Sequence, residues 1–305
     1  MISNSQFFQI STKVVHGLYE KQVRKMPLLY TELYNQVEPD SDRPFITFAP
    51  IVGLSTFGLQ VEGAPPTFDK AEELLPSTFV FVSYGLAYRI TDEGRMETAK
   101  VALSRLPRML AYSEQITKEL LLWNIFNFAF DSTVLLPDGQ PLCSTAHPLL
   151  KEPGVTVSNS GGTLALSPEA LQNAFIHFMT LVDDRGIPIY RTPQDLWVPP
   201  SLQKPAEEIL GSTHYPFSSE NRVNIQEGRL RLHVIRYITS PTQWMITAGK
   251  GSLEGDTHSI IVSFKYQNRH HSWLDDATDT FNHKSKFRLA YGAVDWRGVW
   301  GSQGS

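Results

Sequence analysis

The chain opens with apolar residues at helical spacing. Charged side chains alternate with them, as in a helix that buries one face. The pattern predicts an amphipathic helix over about residues 12–26, which Pro27 ends. The segment from there to Asp42 carries Leu and Tyr without a period, so we expect an arm whose apolar side chains need a partner surface. The apolar positions of the helix are Val14, Val15, Leu18, Tyr19 and Val23.

Strand-like sequence covers residues 45–61 and 78–90, and the acidic, turn-rich stretch EGAPPTFDKAEELLPS separates the two. This predicts a long β-hairpin with a wide connection. An isolated two-stranded ribbon is marginally stable in water. We therefore expect the hairpin to lie against its own domain or against a neighbouring subunit.

The longest helix is predicted over residues 106–130, about 36 Å at the standard rise per residue. Ser104 is the candidate N-cap, and Pro107 lies in the first turn, where its missing N–H costs little. We expect one apolar stripe to be buried, with the charged residues lying mostly away from it. The stripe is Met109, Tyr112, Ile116, Leu120, Trp123 and Phe130, and the charged residues are Arg108, Glu114, Lys118 and Glu119.

The rest of the chain mixes helices and strands. Ser167 is predicted to cap a helix over residues 168–182, and a second helix over residues 201–210 is predicted to stop at Gly211. We see no internal repeat. Segregated helices and strands indicate the α+β class. The strands are predicted at residues 196–198, 230–237, 244–248, 260–266 and 287–294.

Composition narrows the class of protein. The chain has 305 residues, of which 41% are hydrophobic and 19% charged, which is typical of a globular protein. No apolar run approaches the roughly 20 residues of a membrane span, and no secretory leader is visible, so we expect the chain to stay in the cytoplasm where it is made. Binding to nucleic-acid phosphates needs clustered Lys and Arg, and the net charge of −4 gives no sign of such a cluster. We therefore expect no tight or sequence-specific DNA binding.

Two groups of polar residues resemble sites of chemistry. The sequence HHSWLDDATD matches no established metal-ligand spacing, so a solvated loop is preferred over a metal site. Ser144, His147 and Asp138 lie close in sequence, but no nucleophile elbow accompanies them, so catalysis is the less favoured interpretation. The members of the first group are His270, His271, Asp275, Asp276 and Asp279.

Three further features favour structural explanations. SNSGGT at residues 158–163 lacks the ending of a phosphate-binding loop and is interpreted as a flexible turn. Asp183 and Asp184 are adjacent, so a helix-ending turn explains them better than a catalytic pair. Cys143, the single cysteine, has no basic neighbour except His147, so we expect a small buried residue. We predict no catalytic, cofactor-binding or metal-binding residue and no cofactor.

Five stretches, taken in order, resemble one protein family. They are FVSYGLAYRIT, LPRMLAYSEQITKELLLWNIFNFAF, DGQPLCSTAHPLL, LSPEALQNAFIHFMTLVDDRGIPIYRTPQDLWVPPSLQKPAEEIL and the closing FRLAYGAVDWRG. Together they are similar to the phage-Mu-like branch of tailed-bacteriophage major capsid (major head) proteins, whose subunits have the Hong Kong 97 fold. The chain departs from that pattern at Cys143, where relatives often have an aromatic residue, and at ITDEGRMETAK, where an acidic helix start is usual.

The resemblance implies a structural subunit that assembles into an icosahedral shell around phage double-stranded DNA, without catalysis. Its partners would be copies of itself in pentamers and hexamers, with a separate scaffold if any, a portal and decoration proteins, in a virion assembled in the host cytoplasm. The implied division is an N-terminal arm (residues 1–43), an extended hairpin loop (44–91), a peripheral domain with a spine helix (92–150), a mainly axial domain (151–261), and a return to the peripheral domain with the C-terminal tail (262–305).

Two alternatives stay open. An encapsulin-like nanocompartment would share the fold but enclose a partner enzyme. A soluble α+β hydrolase would require Asp138, Ser144 and His147 to converge in one pocket.

Overall fold

The computed structural model describes residues 4–305 except 40–42, 61, 64, 66–67, 71, 92, 95–103, 150–151, 153, 216–222, 252–256 and 276. The helices are α1 (Asn4–Lys25), α2 (Tyr30–Leu33), α3 (Leu106–Leu122), α4 (Asn124–Asn127), α5 (Pro168–Met179) and α6 (Gln203–Gly211). The early strands are β1 (Asn35–Gln36), β2 (Phe45–Phe48), β3 (Ile51–Val52), β4 (Glu72–Glu73), β5 (Ser77–Val80), β6 (Val82–Thr91), β7 (His147–Pro148) and β8 (Thr156–Val157). The later strands are β9 (Pro193–Val198), β10 (Arg231–Val234), β11 (Trp244–Ala248), β12 (Ile260–Asp275), β13 (Thr280–Ala293) and β14 (Val299–Ser302).

The larger sheet has the order β1-β12-β13-β6, and the long β12–β13 hairpin forms its centre. Helices α1 and α3 pack together on one face of this sheet. Burial along β13 alternates from residue to residue, as it must when one face is covered and the other meets solvent. The covered face carries Phe281, His283, Ser285, Phe287 and Leu289.

The second sheet has the order β10-β9-β11-β14, with β9 and β10 parallel and β11 antiparallel to both its neighbours. Helices α5 and α6 contribute to its core, in which Trp244 and Trp300 contact each other. Trp197 and Met245 of the same sheet belong instead to the core of the first sheet. The two sheets therefore share packed side chains across their boundary.

Helix α3 corrects three predictions. It ends at Leu122 rather than at residue 130, its N-cap is Arg105 rather than Ser104, and Met109, Tyr112 and Leu120 of the predicted stripe are 61%, 52% and 52% exposed. The buried face carries Glu114, Gln115, Lys118 and Glu119 beside Leu110, Ala111 and Leu122. The apolar spacing predicted the wrong buried face. The polar side chains of α3 can be buried because they find hydrogen-bonding partners on other elements.

The segment after α1 is buried in its own subunit, so the expectation that its side chains need a partner surface is wrong. Tyr30, Leu33 and Tyr34 are at most 4% exposed within the main core. The Tyr34 hydroxyl donates to the Leu122 carbonyl at 2.6 Å. The following strand β1 pairs in parallel with β12.

Some of the other predictions are confirmed and some are wrong. The α+β class is confirmed, β11 has the predicted bounds, and the Ser167 hydroxyl accepts from the Ala170 N–H as an N-cap. Helix α5 ends at Met179, and α6 includes Gly211. The described part of the strand predicted over residues 45–61 forms only the short strands β2 and β3, whereas β12 and β13 run far beyond the predicted ends. The solvated-loop interpretation of HHSWLDDATD is wrong for His270, His271 and Asp275, which lie in β12; Asp276 is outside the described residues.

Candidate assembly surfaces

The hairpin between residues 45 and 80, hereafter the extended loop, is anchored to the larger sheet at its base. Strand β2 pairs with β5, in a register that places Phe45 opposite Val80. The Phe79 ring lies so close to Gly292 that a Cβ on Gly292 would stand 2.1 Å from Cε1 of the ring. Ile46 and Phe81 pack with Ala290 of β13. The base is therefore fixed by packing as well as by hydrogen bonds.

The middle of the extended loop is clamped to the turn that follows α5. Arg185 donates from Nη1 to the Asp69 carboxylate at 2.6 Å and from Nη2 to the Lys70 carbonyl at 2.8 Å. The same carboxylate accepts the Ser55 N–H at 2.7 Å, so it joins both sides of the loop. These hydrogen bonds, that of Ser55 first, hold the pKa of Asp69 below its usual range.

Large apolar side chains stand uncovered beside this clamp. Phe57, Leu59 and Phe68 are 106%, 98% and 90% exposed. Water-exposed apolar clusters on a subunit mark surfaces that another molecule covers. These three residues, which we call the loop tip, are the strongest candidate contact of the described chain.

An apolar groove of about 620 Å³ lies next to the loop base. One wall is β5 with Tyr291, and the opposite wall is the segment after α4. Phe128, Val134 and Leu135 in that wall are 45–53% exposed. The subunit thus presents both an apolar protrusion and an apolar depression.

The buried face of α3 holds a polar network that joins α1 to the larger sheet. Glu114 accepts from the Tyr19 hydroxyl of α1 and from the Ser285 hydroxyl of β13. Lys118 donates to Glu114 at 2.8 Å and to Asn268 at 2.5 Å. Burial lowers the pKa of Lys118, and the neighbouring Glu114 opposes this shift.

A β-bulge explains how Asn268 reaches Lys118. The register of β12 shifts between Tyr266 and Arg269, and Asn268 has φ of 48°, in the left-handed region that Asn tolerates better than most residues. One turn further along α3, Glu119 accepts from Trp123 Nε1 at 2.7 Å and from the Leu29 N–H at 2.5 Å. The charged residues of α3 are therefore structural links between elements.

The suspected hydrolase residues do not form a relay. His147 contacts Asp138 through Nδ1 at 2.6 Å, but its Nε2 faces Asn159 Oδ1 at 3.1 Å. The Ser144 hydroxyl donates to Gln140 at 2.9 Å instead. His147 is fully buried against the Trp296 ring, so no substrate could reach it without rearrangement.

The remaining candidates are structural where described. Asp183 accepts the N–H groups of Arg185 and Ile187, which makes the predicted turn, whereas buried Asp184 pairs with Arg297 at 3.2 Å. Cys143 is buried, and burial raises its pKa. Residues 158–163 include a bridge from Ser160 to Gly301. In the described ranges, no group of three or more His, Cys, Asp or Glu could hold a metal ion, and no helix is long and apolar enough to cross a membrane.

Sequence comparison decides the family. The model of a family described as phage capsid protein matches residues 75–302, from the base of the extended loop to the last strand. The chain belongs to this phage capsid protein family. No curated protein sequence matches this capsid protein.

Solved structures agree with the family. A chain of Mycobacterium phage Patience has a TM-score of 0.53 at 11% identity, over 100% of this capsid protein and 90% of that chain. The procapsid of bacteriophage JBD30 gives 0.52 at 12% identity, over 99% and 76%. The SrpI encapsulin of Synechococcus elongatus PCC 7942 gives 0.53 at 10% identity, over 92% and 88%. At these identities the likeness concerns the fold alone.

The Hong Kong 97-type capsid fold expected from the sequence is confirmed. Family and fold together make this protein a structural subunit of a capsid shell, which assembles with copies of itself. Its place is the virion capsid. Its assignment to the Mu-like branch stays a prediction.

Sequence reasoning missed the loop tip and the clamp. The sequence pattern places Phe57 in a predicted strand and Phe68 in the turn-rich connection, and apolar residues in a strand pattern normally indicate burial. Arg185 and Asp69 are 116 positions apart in sequence, and no local pattern signals such a pair.

Proposed function

We propose that this capsid protein closes its icosahedral shell by placing the loop tip of each subunit in the apolar groove of the next, around rings of five and six. The observation that carries the proposal is the near-complete exposure of Phe57, Leu59 and Phe68 on a loop whose base and middle are fixed. A protrusion and a depression at different places on one chain make a head-to-tail contact, which closes into rings.

The test replaces the loop tip. We expect Phe57→Ser/Leu59→Ser/Phe68→Ser to abolish shells in negative-stain electron microscopy after size-exclusion chromatography. The subunit's unfolding free energy should change by no more than about 0.5 kcal/mol per site, because the side chains are almost fully exposed in the subunit. Val223→Ser/Ile225→Ser, which also removes exposed apolar residues, is the control and should still assemble. Normal shells from the loop-tip variant would refute the proposal.

We also propose the division of labour within the chain. The extended hairpin region (residues 44–91), which includes the extended loop, would contact neighbours. The larger sheet with α3 would form the peripheral domain (92–150 and 262–305). Residues 151–261 would form mainly the axial domain around the symmetry axes, with residues 1–43 as the arm. The two hydrophobic clusters support two such units. Strand β14 is the exception within residues 262–305: because it pairs with β11, we assign it to the axial unit.

The remaining partners follow from the family. We propose that the shell encloses phage double-stranded DNA, is assembled in the host cytoplasm with scaffold, portal and decoration proteins, and catalyses nothing. The engagement of the Ser144 hydroxyl by Gln140 and of His147 Nε2 by Asn159 supports the absence of hydrolysis.

A nanocompartment is the second candidate, because the SrpI encapsulin shares the fold to the same degree. Neighbouring genes would separate the two functions. Portal, protease and terminase genes would support the capsid, whereas a ferritin-like or peroxidase gene would support the nanocompartment.

A further inference from the structure

The uncovered face of the larger sheet is chemically unlike the rest of the subunit. Side chains alternate between the two faces along β6, β13 and the part of β12 beyond its bulge, so positions 89, 269, 271, 273, 284, 286 and 288 share the face opposite α1 and α3. These positions hold Arg89, Arg269, His271, Trp273, Lys284, Lys286 and Arg288, and we call them the basic face.

Apart from Asp275 at the end of β12, the strands of the basic face contain no acidic residue. Residues 82–91, 264–274 and 281–290 include six Lys and Arg and neither Asp nor Glu. Without these six, the chain has 21 Lys and Arg against its 31 Asp and Glu, a formal charge of −10. The expectation that the chain has no clustered Lys and Arg is therefore wrong, because the cluster forms when three distant segments pair.

The positive charges of the basic face repel one another, and no described carboxylate is close enough to offset the repulsion. Arg269 stands directly across from Lys286, an arrangement that destabilises a sheet. Among the described side chains, no carboxylate lies within ion-pair distance of Arg269, Lys284, Lys286 or Arg288. An anion from outside the subunit would remove this repulsion.

Aromatic rings hold the cations in place. The Arg269 guanidinium lies 4.6 Å and the Lys286 ammonium 5.5 Å from the centre of the Tyr266 ring, and the Lys284 ammonium lies 5.1 Å from the Trp273 ring. Such contacts orient long side chains while leaving their charge available. Alternate residues of β13 repeat at about 6.8 Å, which matches the axial rise of two nucleotides in one DNA strand.

We infer that the basic face binds the phosphate backbone of double-stranded DNA, without sequence preference. The inference rests on the proposed function, since the shell must enclose DNA for the contact to form in the virion. An acidic loop of a second subunit is the competing occupant. The extended loop has four acidic residues, and Asp69 is already held by Arg185, so three carboxylates are left for the five Lys and Arg of the basic face. The phosphates of a DNA backbone can supply a negative charge for every cation of the basic face.

The experiment measures binding of the full-length unassembled subunit to labelled duplexes of two unrelated sequences by fluorescence anisotropy, between about 50 and 200 mM salt. We expect binding that weakens linearly with salt on logarithmic axes. Lys284→Gln/Lys286→Gln should weaken binding equally for both sequences and reduce the salt slope by about 1.8, since each phosphate contact contributes about 0.9.

The matched control is Lys13→Gln/Lys204→Gln, which removes the same charge from exposed positions on α1 and α6. It should retain the wild-type slope, as should the charge-retaining Lys284→Arg/Lys286→Arg. Absence of binding by the wild type at about 50 mM salt, or equal losses in the Gln variant and its control, would overturn the inference.

Shell formation, scored separately by electron microscopy, keeps the two proposals distinguishable. Shells without DNA affinity would leave the assembly proposal intact and end this one. Loss of shells in Lys284→Gln/Lys286→Gln with unchanged DNA affinity would show that a second subunit covers the basic face, and would also end it.

Discussion

Single residues in the interior of this capsid protein carry charge where an apolar residue is the usual choice. Lys118 and Glu114 are 1% and 6% exposed and 2.8 Å apart, and each has further partners on α1, β12 or β13. A buried pair of this kind adds little net stability over apolar packing, but removal of one partner leaves an uncompensated charge. The pair therefore makes the position of α1 and β12 relative to α3 specific.

Lys118→Met should lower the subunit's free energy of unfolding by about 3–5 kcal/mol, because Glu114 then stays buried without its cation. The double variant Glu114→Gln/Lys118→Met should lose less than the sum of the two single variants. Urea denaturation of the unassembled subunit measures both. A loss below about 1 kcal/mol in the single variant would mean that the pair is hydrated in solution.

At the scale of elements, the extended loop combines a packed base, a polar clamp and an uncovered tip. The clamp leaves Phe57, Leu59 and Phe68 exposed, so it orients the loop tip without burying it. A binding segment that is held in position before contact loses less conformational entropy on binding. Arg185 would thus influence how fast shells form more than how stable the subunit is.

Arg185→Ala should accelerate tryptic cleavage after Lys70 about two- to fivefold, because an exposed ion pair with good geometry shifts local opening by this order. Arg185→Lys keeps the charge but loses the forked contact with Asp69 and the Lys70 carbonyl, and should fall between. Limited proteolysis followed by mass spectrometry measures the rates. Equal rates in all three proteins would contradict a clamp at this position.

For the whole molecule, buried histidines link stability to pH. Burial lowers the pKa of His177, His258, His270 and His283 to about 4. Because this lies below the ordinary value of 6.5, the unfolded chain takes up protons first as the pH falls. The stability from these neutral histidines is full above pH 6.5 and is lost as the pH falls towards about 4.

The free energy of unfolding should therefore fall between pH 6.5 and pH 4, with a slope of up to about 1.4 kcal/mol per pH unit for each histidine. His258→Gln removes one such group and should flatten the slope, whereas exposed His214→Gln should not. Urea midpoints at several pH values measure it. A slope unchanged in His258→Gln would show that His258 does not contribute to the loss of stability in acid.

The class, the family and the elements with strong local signals follow from the amino-acid sequence. The Ser167 cap, helix α5 and strand β11 follow from nearest-neighbour chemistry, which needs no distant partner. The order and spacing of the motifs predicted the capsid fold. The tertiary structure alone decided which face of α3 is buried, since Glu114 and Lys118 depend on Tyr19, Asn268 and Ser285 from other elements.

The assembly surfaces, like the buried face of α3, depend on the tertiary structure. Whether Phe57 or Phe68 is covered depends on what packs near it, and the basic face exists because β6, β12 and β13 align side chains nearly 200 positions apart. Periodicity reports which residues share a face of one element. It does not report what lies across from that face, because long-range pairing sets burial, charge density and exposure together.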